Sequence, residues 1–227
     1  LAVIGYWLER ALSLDRDLGG VLGPALNSVL VSALAAGAAV AAALPVSLLA
    51  TRYRPRWARV PERLAYSSNA LPGIVIALSL VFFAANYAGF AYQTLALLVF
   101  AYVVRFLSQA VAGTHSALLG VDPHLEEAAR GLGKSPRRAF ATVTAPLVAP
   151  GLLAGAALVF LSTMKELPAT LLLAPIGFET LATEVWTATT VAAYSRAALP
   201  ALLLVVFSAP FVYLLTIRRR PEVDAPG

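Results

Sequence analysis

Residues 127–146 read Glu127-Ala128-Ala129-Arg130-Gly131-Leu132-Gly133-Lys134-Ser135-Pro136-Arg137-Arg138-Ala139-Phe140-Ala141-Thr142-Val143-Thr144-Ala145-Pro146, a polar interruption between long apolar runs. Just upstream, Asp122 followed by Pro123 marks a helix start, because a carboxylate caps free backbone N–H groups and proline fits the first helical position. Ser135 and Pro136 repeat that pairing, and Gly131 and Gly133 between them suit a helix end or a tight turn. The pattern predicts two short helices, 123–132 and 136–144, bent at the glycines. Leu125, Ala128, Ala129 and Leu132 recur at helical spacing and give the first helix a narrow, small-residue face able to seat in a groove. On these residues alone the hairpin is either a handle gripped by another protein or an amphipathic loop lying on a membrane surface.

The flanking sequence sets the environment. With 227 residues, 59% of them hydrophobic and 13% charged, and a mean hydropathy of +0.79, the chain is unsuited to water as a monomer. A membrane crossing needs about 20 mainly apolar residues. Residues 24–50 supply one. Residues 64–104 are charge-free but too long for a single crossing, and the polar Asn86-Tyr87-Ala88-Gly89 divides them into one span ending near Phe83 and another starting near Tyr92. Residues 139–164 and 197–217 supply two more. The expected fold class is therefore all-α, a polytopic membrane protein with about five transmembrane helices. Small residues dominate the first span, which suits close packing against neighbouring helices.

Orientation follows from Lys and Arg, which cytoplasmic connectors retain. Thirteen lie in connectors on one side (52–63, 105–138, 218–220) and four on the other (Arg10, Arg16, Lys165, Arg196), accounting for all seventeen. The hairpin and the C-terminus are thus expected inside, and the net charge of +5 reflects topology, with no need for nucleic acid as a partner. Residues 1–21 are expected to hold an apolar stub (1–8), either the tail of a truncated upstream span or a short interfacial helix anchored by Tyr6 and Trp7, followed by an external polar linker (9–17). Residues 22–217 form the membrane domain, with its loop at 122–146, and 218–227 a cytoplasmic tail. Cysteine is absent, which excludes disulfides and thiolate metal sites.

Several chemical motifs fail on inspection. Gly133-Lys134-Ser135 imitates the end of a phosphate-binding loop, but Ala128 stands where that motif needs glycine, so no nucleotide site is expected in this chain. His115 and His124 lack the spacing that puts two imidazoles on one helical face, and no metal site is expected. An intramembrane enzyme would need paired ionisable groups in span centres, which the sequence does not offer. A passive channel is the other rival class, and it would need no motor subunit.

Glu127-Ala128-Ala129, Gly133 and Pro146 at these spacings resemble the cytoplasmic "EAA" loop of permease subunits of ABC importers, the helix pair that docks onto a separate ATPase. Val143 and Ala145 depart conservatively from that family's Ile-x-Leu-Pro ending. Further on, Met164-Lys165-Glu166-Leu167-Pro168-Ala169-Thr170 and Gly177-Phe178-Glu179-Thr180-Leu181-Ala182-Thr183, with Asn27-Ser28 and Leu71-Pro72-Gly73-Ile74, are similar to ferric-iron importer permeases, particularly the second half of fused ones. Thiamine, polyamine and oxyanion importers share much of this architecture.

The resemblance implies a bacterial inner-membrane, multi-pass transport subunit. Its partners would be a second permease half, two ATP-binding cassette subunits that use the ATP, an external substrate-binding protein and the lipid bilayer. Glu127 would be an ionic contact to the ATPase or a helix cap, Ala128 and Ala129 close-contact surfaces, and Gly133 the turn. Lys165, Glu166 and Pro168 break a helix, since proline removes a backbone donor and charges at depth need a cavity or partner. The break is expected at the external end, as an outer gate or as an interfacial helix end with Lys165 snorkelling. Arg105 is expected near the inner end of its span, as an interfacial anchor.

Overall fold

The computed structural model describes residues 5–7, 9, 18–53 and 59–217. Most of the stub and linker expected before residue 18, and the tail from residue 218, lie outside the described residues. Among the described residues every regular element is helical.

After a 3-10 turn at Leu18–Val21, helix α1 runs from Leu22–Leu48 and continues through a π-helical turn, Leu49–Tyr53. Its protein-facing stripe is Ser28, Val31, Ser32, Ala35, Ala36, Ala39, Ala43 and Ser47, a spacing of three and four that puts small side chains on one side. Ala33, Ala38, Ala41 and Ala42 face outward, so only half of the alanine-rich surface is buried by this chain.

α2 (Arg59–Ser67), a 3-10 turn (Ser68–Ala70) and α3 (Gly73–Tyr87) follow. α2 with its turn and α3 are bent by 108° at the Leu71-Pro72 break. Proline lacks an N–H, and Leu71 before it takes an extended conformation, ψ 130°, as residues preceding proline do.

α4 (Leu95–Leu119) starts where the Thr94 hydroxyl accepts from the Leu97 amide at 3.3 Å. It continues past Arg105, so that residue sits mid-helix and not near the end of the helix. α5 (Pro123–Gly131) and α6 (Pro136–Ala139) form the hairpin. α6 passes through a π-helical turn, Phe140–Thr144, into α7 (Ala145–Met164), giving one apolar stretch from Pro136 to Met164. The wide turn sits just before Pro146, whose missing N–H leaves an upstream carbonyl without its helical donor.

α8 (Pro168–Leu173), α9 (Leu181–Thr190) and α10 (Tyr194–Ile217) complete the chain. Among the described residues four helices are long and apolar enough to cross a membrane, or five if the bent α2–α3 pair counts as one span.

The core lies where α1, α4 and α7 cross. A β-carbon on Gly113 of α4 would sit 2.8 Å from the Gly155 Cα of α7, and one on Gly151 would overlap the Ala117 Cβ. These backbones meet because no side chain keeps them apart, the packing mode that lipid favours. Further along the same faces, Ser162 donates to Gln109 at 2.9 Å, and past the end of α7 the Tyr102 hydroxyl meets that of Thr170 in α8 at 2.6 Å.

Candidate functional sites

At one end of the bundle the hairpin is held by four local devices. The Asp122 carboxylate accepts from the His124 amide at 2.9 Å, the expected cap. At the other end of α5, Lys134 N–H reaches the Ala129 carbonyl at 3.2 Å and Gly133 N–H reaches the Arg130 carbonyl at 3.0 Å. That bond pair is a Schellman cap, which requires a left-handed residue four positions after the residue whose carbonyl closes it; Gly133 supplies it with φ 87°. The spacing from Ala129 to Gly133 is therefore a helix-ending rule written in sequence. The third device joins hairpin to span: the Thr144 hydroxyl donates to Glu126 at 2.8 Å. Lys134 adds the fourth by donating to Thr142 at 2.9 Å. Ser135 makes no cap bond through its side chain, contrary to expectation, and Pro136 alone sets the start of α6.

The expected small-residue face divides. Ala129 is buried against the protein, whereas Leu125 (48% exposed) and Leu132 (86%) face out together with Ala128. Glu127 is exposed, and its carboxylate takes a 3.0 Å contact from His124 Nδ1, so the cap belongs to Asp122. Glu127 and Asp122 raise the His124 pKa, the Glu127 hydrogen bond most strongly. Beside the hairpin, a half-open hollow of about 500 Å³ is lined by Arg52, Glu126, Glu127, Arg130 and Arg137, with Leu48, Pro123, Pro136 and Phe140 as its apolar part. Pro146 lies exposed in the first turn of α7.

The second site brings the Leu71-Pro72-Gly73 and Lys165-to-Pro168 segments together. α7 ends at Met164, and Pro168 restarts the chain as α8. One oxygen of the buried Glu166 carboxylate accepts from the Ala169 amide at 3.2 Å, capping α8; the Glu166 carbonyl accepts from the Thr170 hydroxyl at 2.8 Å. Arg105 Nη1 donates to the Leu71 carbonyl at 2.9 Å. Lys165 faces away from Glu166, at the head of an apolar hollow of about 670 Å³ along α10 with Leu204, Val205, Ser208 and Val212. The break follows the end of α7 that is remote from the hairpin and lies beside Arg105, the eleventh residue of α4, about 15 Å from Leu95 and about 21 Å from Leu119 at 1.5 Å per residue.

A third junction unites the other two motif segments. Asn27 Nδ2 donates to the Glu179 carbonyl at 2.9 Å, and the Leu181 amide donates to the Ser28 hydroxyl at 2.8 Å. Thr180 and Thr183 form a reciprocal capping box that starts α9.

The described residues thus form a helical bundle with broken helices around a buried charge and a polar hairpin at one end. The sequence matches the family described as "Binding-protein-dependent transport system inner membrane component" over residues 29–220. The chain belongs to that family.

Among its relatives, the Fe(3+)-transport system permease protein FbpB 2 of Haemophilus influenzae is 41% identical over 212 residues, covering 92% of this chain and 42% of that protein. The chain thus spans less than half of that relative's length. The molybdenum transport system permease protein ModB of Escherichia coli is 47% identical over 55 residues, 24% of each chain. Two solved structures share the fold. The MetNI methionine ABC transporter in inward-facing conformations superposes with a TM-score of 0.68 at 16% identity, over 87% of this chain and 94% of that one. A bacterial ABC transporter involved in import of the acidic polysaccharide alginate gives 0.61 at 12% identity, over 94% and 83%.

Proposed function

We propose that this chain forms half of the translocation path of an ATP-driven importer, with ferric iron as its cargo. The hairpin at 122–146 is its contact to a separate ATPase that uses the ATP, the remaining length of the iron-permease relative corresponds to a second permease half, and an external binding protein delivers the cargo. The Lys and Arg bias supports a cytoplasmic side for the hairpin and the C-terminus.

One observation carries this reading: the hairpin and the broken site lie at the two ends of one continuous helical stretch. The helix from Pro136 to Met164 has 29 residues, about 43 Å at helical rise, and it is tied to the hairpin at one end through Glu126–Thr144 and stops at the Lys165-Glu166 break at the other. Closure of a docked ATPase pair would push Leu125, Ala128 and Leu132, and the displacement would travel along α7 to a gate formed by Lys165, Glu166 and Pro168. Gly133 and Ala129 preserve the hairpin's shape during that push, and Glu127 offers a charge to the ATPase. Pro146 keeps the base of α7 at its wide turn.

Iron is favoured by the long match to an Fe(3+) permease, and the shorter match to a molybdenum permease supplies the rival cargo, an oxyanion. The full-length permease, reconstituted with its ATPase and binding protein, is expected to accumulate labelled ferric iron with ATP and not without it. Accumulation of molybdate and not iron would replace the cargo; uptake independent of ATP would sink the importer reading.

A further inference from the structure

Arg105 has no role in the gate as described above, yet it carries charge near the middle of an apolar helix. Such a charge is costly and persists where it has partners. Here two broken helices supply them. The first is the Leu71 carbonyl, the last one before Pro72, which the bend leaves outside the α3 ladder and which accepts from Arg105 at 2.9 Å. The second is Glu166. A β-carbon on Gly73 would lie 2.8 Å from Glu166 Oε1 and 3.2 Å from Arg105 Nε, so the carboxylate and the guanidinium converge on the same bare stretch of α3. Glycine at position 73 is what lets the two charges approach across the elbow. One turn along α4 from Arg105, Tyr102 meets Thr170, whose hydroxyl donates to the Glu166 carbonyl.

We infer that Arg105 is a positioning residue that ties the elbow at Pro72 to the break at Pro168, so that the two discontinuous spans open and close as one gate. This inference rests on the permease reading. It adds to it a residue on a third helix and a reason for the second break: displacement arriving along α7 reaches α3 through the Glu166–Arg105–Leu71 chain, not through Lys165. The Glu166 half of the tie is buried, which makes that carboxylate costly to leave without its partner.

The test uses the reconstituted full-length transporter with its ATPase and binding protein. Glu166→Gln removes the charge while keeping an oxygen for the Ala169 amide, so α8 retains its cap. Uptake per ATP hydrolysed is expected to fall at least about tenfold in Glu166→Gln and in Arg105→Gln, and the exchange Arg105→Glu with Glu166→Arg is expected to recover part of it. A spin-label pair at Leu71→Cys and Leu167→Cys is expected to hold one distance in the nucleotide-free and ATP-bound states. Wild-type uptake per ATP in both neutralised variants overturns the inference. So does a distance that changes between states, or uptake and hydrolysis falling in parallel with the amount of assembled complex, which marks a static tie. Absence of ATP-driven uptake in the unmodified transporter overturns the permease reading itself, and the gate with it.

Discussion

The Thr144 hydroxyl donates to the Glu126 carboxylate at 2.8 Å, across eighteen residues of chain, and so fastens the exposed helix α5 to the base of the span α7. A hydrogen bond to a charged group contributes about 1.5–3 kcal/mol. Thr144→Val keeps the shape of the side chain and removes the donor. Amides of α5 are expected to exchange with solvent roughly tenfold faster in that variant, with ATP hydrolysis retained and uptake reduced. Hydrogen exchange by mass spectrometry on the hairpin peptides checks the first, and unchanged protection would mean that the fastening lies elsewhere.

The two hairpin glycines are expected to respond oppositely. Gly133 holds φ 87°, where a β-branched side chain is strained by about 1–3 kcal/mol. Gly133→Val is therefore expected to distort the Schellman cap and uncouple uptake from hydrolysis. Gly131 is helical with open space around its Cα, so Gly131→Ala is expected to preserve coupling and to stabilise α5 by about 0.5–1 kcal/mol. Paired hydrolysis and uptake assays on the two variants separate them.

A similar asymmetry holds where α4 crosses α7. A β-carbon at Gly113 meets backbone at 2.8 Å, whereas one at Gly155 finds ordinary contact at 3.5 Å. Gly113→Ala is expected to cost about 1–3 kcal/mol by forcing the helices apart, lowering the melting temperature in detergent by several degrees. Gly155→Ala is expected to melt within a degree or so of the parent.

His124 offers a pH-dependent reporter. Hydrogen bonding to Glu127, then the charges of Asp122 and Glu127, hold its pKa above the ordinary value of about 6.5. A raised folded-state pKa means that the pair's support of α5 is fully present below that ordinary value and is lost as pH rises through the raised one. Glu127→Gln is expected to move the His124 titration back toward the ordinary value. With only two histidines in the chain, NMR of labelled imidazoles reads this directly, and an unmoved midpoint would show that Glu127 is not the cause.

The all-helical class, the Asp122 cap and the Gly133 turn were legible in the sequence because each is set by local rules: apolar run length, a carboxylate before proline, glycine where φ is positive. Glu126 escaped notice because its neighbour Glu127 fits the motif, yet helical phase puts Glu126 on the same side as the buried Ala129 and turns Glu127 outward. Arg105 was misplaced for a different reason. A hydropathy reading ends a span at its first charge, but α4 continues because Gln109 and Thr114 find partners in Ser162 and the Ala110 carbonyl, and Arg105 finds Leu71. The 108° bend was equally out of reach: Pro72 announces a break, but the angle depends on contacts with residues far along the chain.

The central claim is that α5 is the surface pushed by a separate motor, and one crosslink tests it most directly. This chain has no cysteine, so Ala128→Cys introduces a single thiol on the exposed side of α5. With a second cysteine placed on the facing surface of the ATPase subunit and a mild oxidant added to inner-membrane vesicles, a disulfide is expected to join position 128 to that subunit, with a yield that changes when ATP is added. Labelling of that thiol by a membrane-impermeant reagent from the external face, in a transporter that still takes up its cargo, would contradict the account.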